Sequence, residues 1–281
     1  MVILGSVTPT YVFVHGSTGN SRAWAAMQRE VALRGHRSLA VDLPGRGSGF
    51  SVAYHTQDLE AFAAEPSPLA GIQAADTIGH LVGIVRRARV HGPVVLVGHS
   101  LGGLAVSGAG NEIPELIDRI VYIAAMCPVR PAAEYLPGYL KGELLPAIAP
   151  LGIGDPIEQG FVRVNWRGAT PEQAEALRLA LCPEGTPSGW FGAIASYQPD
   201  ETLGQWDAGY GTVGKDTWGR IPRTFIRTLN DRACPLAVQD AYIEEGDALT
   251  PENRWDVRSV ESSHSGFLSF PTEVADILAA L

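Results

Sequence analysis

Lysine is almost missing from this chain. It occurs only at Lys141 and Lys215, so arginine supplies 19 of the 21 basic residues, set against 30 acidic ones. The lysine shortage is a compositional bias without a functional reading. The net charge is −9 and no basic stripe runs along the chain. This argues against nucleic acid or an anionic membrane as a partner. Cysteine is scarce too. Cys127, Cys182 and Cys234 form an odd, widely spaced set, which does not suggest a disulfide framework or a zinc site. Buried free thiols and a reducing cytoplasmic setting are expected. No apolar run reaches the roughly 18 residues that a membrane-spanning helix needs. Residues 1–6 have neither a basic n-region nor a long apolar core, so no secretory leader is expected. The metalloprotease pattern H-E-x-x-H and the phosphate-binding pattern G-x-x-x-x-G-K-[ST] are missing. Gly45, Gly47 and Gly49 follow a strand but lack the spacing and acidic partner of a dinucleotide fingerprint. No metal and no cofactor are expected.

What the chain does have is core-forming residues: 46% hydrophobic and 18% charged over 281 positions. That suits one sizeable folded unit with room for an insertion. Short apolar runs at residues 11–14, 37–42, 94–97, 119–124, 224–227 and 257–260 read as strands. Between them lie helical patterns. One covers residues 21–33, with Ser21 as N-cap and Gly35 just past its end. Another covers residues 74–90, with Ile78, Leu81, Val82 and Val85 on one face. Further helices are expected at 101–110, 236–245 and 272–281. Strands alternating with helices predict an α/β fold: a doubly wound, mostly parallel six-stranded sheet covered on both faces. The rhythm breaks between about residues 128 and 220. This stretch holds four of the six tryptophans, Trp166, Trp190, Trp206 and Trp218. It also holds a helix at 171–181 with Thr170 as N-cap. It reads as a helical cap at 128–220 inserted into a core of 1–127 and 221–281. Its tryptophans line a pocket or fill the cap's own core.

The chemistry centres on Gly98-His99-Ser100-Leu101-Gly102. The G-x-S-x-G pattern is weak alone. Here it follows a strand and precedes a helix, the setting that lifts a serine hydroxyl out of a sheet. A side chain at either glycine would crowd so tight a turn. A serine hydroxyl needs a base to become a nucleophile. On such a sheet the chain order is serine, acid, histidine. Of the seven histidines only His264 follows Ser100. Asp231, after the strand at 224–227, is the expected acid. Its competitors are Asp240 and Asp247, in or beyond a helix, and Asp256, which begins the last strand. The alternative position after the preceding strand, residues 126–130, carries no carboxylate. An oxyanion needs preplaced N–H donors. One is expected from Leu101. The other comes from the glycine-bearing loop at 15–19, from Ser17 or, alternatively, Thr18. His15 is read as a loop brace and His99 as a supporting residue. The run at 42–47 is read as a structural turn beside the pocket.

Taken together, His15-Gly16, Asp42-Leu-Pro-Gly-Arg-Gly47, Gly98-His-Ser-Leu-Gly-Gly103, Leu229-Asn-Asp-Arg and Ser263-His264 resemble the α/β-hydrolase superfamily over nearly the whole chain, most loosely across 128–220. The branch it looks most like contains small esterases, among them plant methyl-ester hydrolases, and hydroxynitrile lyases. The early first strand and the Thr170-Pro-Glu-Gln and Leu181-Cys-Pro-Glu segments are similar to that branch. The resemblance implies a triad of Ser100, Asp231 and His264 with donors at Ser17 and Leu101. One departure counts against lyase chemistry: the lyases carry lysine directly after the histidine, and here it is Ser265. The expected activity is hydrolysis of a small, fairly apolar carboxylic ester, lactone or amide. Acyl transfer or cyclisation by the same triad is the alternative, and a non-catalytic ligand receptor a third reading. A homodimer is left open.

Overall fold

The structure is a computed structural model describing residues 8–47, 49–204 and 209–281. Residues 1–6, read above for a leader, and Trp206 lie outside the described residues. Strands β1 (Thr10–Val14), β2 (Arg37–Val41), β3 (Val94–His99), β4 (Arg119–Ile123), β7 (Arg223–Thr228) and β8 (Asp256–Val260) form one sheet. Its order is β2-β1-β3-β4-β7-β8, and every pairing is parallel. Two further strands, β5 (Phe161–Arg163) and β6 (Asp200–Thr202), pair antiparallel between β4 and β7 in the chain.

Strand alternation feeds two separate cores. In β1, Val12 and Val14 enter a core built with the helices Ala74–Arg89, Gly102–Glu112 and Leu236–Leu249. Tyr11 and Phe13 enter the opposite core, against the helices Ala25–Leu33 and Thr272–Ala279. All four side chains are essentially inaccessible. Burying a side chain of this size on either face contributes about 1.5–3 kcal/mol, which explains why β1 alternates no polar residue into the run Tyr11–Val14.

Chain order reverses at β1. It lies between β2 and β3, so its carboxyl end and that of β3 flank the crevice where open α/β sheets take ligands. The helix after β3 must start very close to the loop after β4. A Cβ on Gly103 would lie 2.0 Å from the carbonyl oxygen of Met126. Gly103→Ala is therefore expected to cost about 3 kcal/mol or more, since backbone and not a flexible side chain must move. A lowered urea midpoint checks this, and an unchanged midpoint contradicts it.

Two expectations change in detail. The first helical segment opens as a 3₁₀ turn, Ser21–Trp24, and its cap is Asn20, not Ser21. Asn20 is extended and its side chain accepts the Arg22 N–H, leaving Ser21 as the first helical residue. The segment between β4 and β7 builds a small core of its own from Leu151, Val164, Trp166, Leu177, Leu181, Trp190 and Ile194. Trp218 does not share it. Trp218 packs under the main sheet beside Tyr122 and Trp255, with its indole N–H donating to the Tyr122 hydroxyl at 2.8 Å. Among the described residues, no helix is long and apolar enough to cross a membrane.

Candidate active site

Ser100 stands in the turn between β3 and the helix Gly102–Glu112 with φ of +52°. A non-glycine residue there carries about 1–3 kcal/mol of strain. The surroundings hold it. Its N–H donates to the Ile123 carbonyl, and its own carbonyl accepts from Gly103 and Met126. The glycines have the required room: a Cβ on Gly102 would meet the His15 carbonyl oxygen at 2.5 Å, and one on Gly98 the Val106 side chain at 2.9 Å. The turn is therefore pressed directly onto the loop after β1.

His264 follows β8. Its Nε2 lies 2.9 Å from Ser100 Oγ, and its Nδ1 lies 2.7 Å from Asp231 Oδ2. The Asp231 carboxylate is wholly inaccessible and fully engaged. Oδ1 accepts the N–H groups of Ala233 and Cys234 at 2.8 and 2.7 Å. Oδ2 accepts the Thr228 hydroxyl at 2.8 Å. The Asx turn that follows β7 thus fixes the acid through its own backbone. The rivals are elsewhere: Asp240 pairs with Arg227, Asp247 accepts from the Trp255 N–H, and Asp256 pairs with Arg258.

The two supporting histidines have distinct jobs. His99 Nε2 donates to the His264 carbonyl at 2.9 Å, and its ring packs between His264, Phe267 and Trp24. Burial holds its pKa well below the usual histidine range. His15 lies within hydrogen-bond reach of two groups. The Leu43 N–H donates to Nε2 at 3.3 Å. Nδ1 then carries the proton and donates to the Gly16 carbonyl at 2.9 Å. Burial pushes the His15 pKa down to about 4, so it is neutral near pH 7. It ties the loop after β1 to the loop after β2.

The two expected oxyanion donors differ from the alternative in one respect. Among the described residues, neither the Ser17 nor the Leu101 N–H has a protein acceptor. The Thr18 N–H is occupied: it donates to Glu201 Oε2 at 2.8 Å.

Two carboxylates that sequence reasoning missed frame the site. Glu184 accepts from the Ser263 N–H at 2.7 Å and from the Ser263 hydroxyl at 2.6 Å, beside His264. Glu201 grips the loop at 17–18 and pairs with Arg46. Glu184 lies in the Leu181-Cys-Pro-Glu run noted above. Nothing local distinguishes Glu201. Its partners Ser17, Thr18 and Arg46 are 155 to 184 residues away in the chain.

Two cavities meet here, and His15 and Gly16 line both. The smaller, about 80 Å³, holds Ser100 and His264 with Leu144, Ile148, Trp166 and Leu268. The larger, about 550 Å³, is lined by Leu101 and Gly102 and by Arg46, Gln73, Thr77 and Glu201. The turn at 42–47, read from the sequence as a structural turn beside the pocket, supplies Leu43, Pro44 and Arg46 to the wall of the larger cavity. Of the cap tryptophans described, Trp166 alone lines either cavity. Among the described residues no group of three or more His, Cys, Asp or Glu is placed to hold a metal.

A serine raised on a strand-to-helix turn, hydrogen-bonded to a histidine that an aspartate holds, defines a class of enzymes built on this sheet. The chain belongs to the alpha/beta hydrolase family, whose model matches residues 11–277. Its relatives include a pyrethroid hydrolase from Sphingobium wenxiniae, 23% identical over 95% of this chain and 85% of that one. Methylesterase 10 from Arabidopsis thaliana is 29% identical over 95% of this chain and 90% of its own. The crystal structure of polyneuridine aldehyde esterase superposes with a TM-score of 0.72 at 19% identity, covering 97% of this chain and 98% of that one.

Proposed function

We propose that the protein is a serine esterase working through an acyl-enzyme. The observation that carries this reading is the continuous chain Ser100 Oγ–His264–Asp231, at 2.9 and 2.7 Å. His264 Nε2 takes the hydroxyl proton as Ser100 attacks the ester carbonyl. Asp231 keeps the proton on Nδ1 and stabilises the imidazolium. The N–H groups of Ser17 and Leu101 receive the oxyanion. The imidazolium then gives its proton to the leaving alcohol. Water, activated by the same histidine, releases the acid.

The cavities refine the substrate. About 80 Å³ beside Ser100 takes a short apolar group, given that a water occupies about 30 Å³ of liquid. The 550 Å³ compartment, with polar groups on its wall, takes a much larger partner group. The substrate class is accordingly an ester with one small and one bulky, mixed-polarity side. That is larger and more polar than the small apolar ester expected from the sequence. The segment at 128–220 acts as the cap over it. We place the enzyme in the cytoplasm, acting on a free small molecule without nucleic acid or membrane as partner.

Product analysis in water with methanol added tests the reaction type. A carboxylic acid as the main product at low methanol, with methyl ester growing in proportion to added methanol, is expected of a hydrolytic acyl-enzyme. A methyl ester or cyclised product dominating even at trace alcohol would instead favour acyl transfer or cyclisation.

A further inference from the structure

We infer that Glu201 is a positioning residue that sets the oxyanion loop, and that the segment between β4 and β7 completes the oxyanion site through it. This rests on the serine-esterase reading. Thr18 is held at φ +53°, a left-handed conformation that is an outlier for a β-branched residue. Something must hold the loop there, and the contacts name it. Glu201 Oε2 accepts the Thr18 N–H at 2.8 Å and the Ser17 hydroxyl at 2.9 Å. The neighbouring backbone adds to the grip: the Gln198 N–H donates to the Thr18 carbonyl at 2.7 Å, and the Asn20 side-chain amide donates to the Ser196 carbonyl at 3.1 Å. Residues 17–20 are thereby fastened along residues 196–201. Of the loop's candidate donors, the Thr18 N–H is taken and the Ser17 N–H is left for the substrate oxygen.

A buried carboxylate this near a developing oxyanion would oppose it by like charge. Arg46 removes that objection. It pairs with Glu201 Oε1, both side chains nearly inaccessible, so the clamp is close to neutral overall. Arg46 also donates to the Asp200 carbonyl, and the Asp200 carboxylate is itself locked by two 2.7 Å bonds from Arg163. The clamp is therefore rigid from Arg163 through to Ser17.

Substitution at 201 separates positioning from bulk structure. In Glu201→Gln only one side-chain oxygen remains. The Arg46 guanidinium claims it as the stronger donor, and the new amide N–H then faces the Thr18 N–H, donor against donor. Glu201→Asp keeps the charge pairing with Arg46 but is one methylene too short to hold both Ser17 and Thr18 as well. The experiment measures kcat and KM for p-nitrophenyl acetate and the inhibition constant of butylboronic acid. The tetrahedral boronate adduct of a serine places an oxygen where the oxyanion forms. Both variants are expected to lose kcat by about 10- to 100-fold, less than the roughly 10²–10³ for deleting a donor. KM should stay within about threefold, and the boronate should weaken by the same factor as kcat/KM. Variants that fold and keep kcat and boronate affinity within about twofold overturn the inference. So does a loss of kcat with boronate affinity retained, because the defect then lies outside the oxyanion loop. If the unsubstituted enzyme is neither inhibited by the boronate nor labelled at Ser100 by a fluorophosphonate, the serine-esterase reading itself fails. Inhibition and labelling of that enzyme with indifferent Glu201 variants sink the clamp alone.

Discussion

Ser100→Ala is expected to lower kcat by about 10⁵- to 10⁶-fold, with KM changed only a few-fold. Knocking out the nucleophile of a Ser-His-Asp unit leaves only oxyanion stabilisation and binding, a residual of about 10³–10⁴ over the reaction in water. The substitution removes one partner of a 2.9 Å hydrogen bond and little else. His264 stays in place, because Asp231 holds its Nδ1 and His99 holds its carbonyl. Stability should therefore shift by no more than about 1.5 kcal/mol, the net worth of one such bond. The pre-steady-state burst of alcohol release should vanish along with steady-state turnover. A variant that retains even a hundredth of the unsubstituted kcat would show that another group performs the attack.

Asp231→Asn is expected to be nearly as damaging, and for a different reason. The Asp231 carboxylate uses Oδ1 for two backbone N–H groups and Oδ2 for Thr228 and His264. An asparagine can keep its single oxygen on the two backbone donors. Its NH₂ then faces His264 Nδ1, which must become an acceptor. The ring proton moves to Nε2, and Nε2 can no longer accept the proton of Ser100. The fold is intact but the tautomer is wrong, a change that in such triads lowers kcat about 10⁴-fold. KM and thermal stability should change little, since the bonds to Ala233 and Cys234 persist. Steady-state kinetics checks this, and a fall of less than tenfold would mean that Asp231 does not control the histidine.

Much of this geometry was legible in the chain because it is anchored to strand ends. The nucleophile, acid and base each sit just past a strand whose apolar run is plain, and chain order alone separated His264 from six other histidines. The helix Pro171–Leu181 begins and ends where the sequence predicts, because Thr170, Pro171 and Gln173 make a capping box with proline in the first turn. Other elements are too short to read in this way, although Ser51, Asp58 and Thr186 cap three of them. The helices Val52–Thr56, Leu59–Ala64 and Pro187–Ile194 are short, and β5 and β6 have three residues each. Their stability comes from tertiary contact, such as Arg163 reaching the carbonyls of Phe62 and Glu65, not from local pattern. Glu184, Glu201 and Arg46 were illegible for the same reason: a carboxylate in a loop reads as solvated until its distant partner is known. Ser17 is the first choice from the sequence with Thr18 the alternative, and what separates them is distant in the chain: Glu201 occupies the Thr18 N–H but only the hydroxyl of Ser17. The cavity walls come from several separated segments, which is why the size and polarity of the substrate could not be read from sequence.

On the proposed mechanism Ser100 carries an acyl group during turnover. That intermediate can be trapped by acid-quenching the enzyme within the first turnovers of p-nitrophenyl acetate, then measuring intact mass and mapping peptides. The expected result is a mass gain of one acetyl group, confined to the peptide containing Ser100 and absent from Ser100→Ala. Turnover with no adduct, or with the acetyl group on another residue at stoichiometric yield, would contradict it.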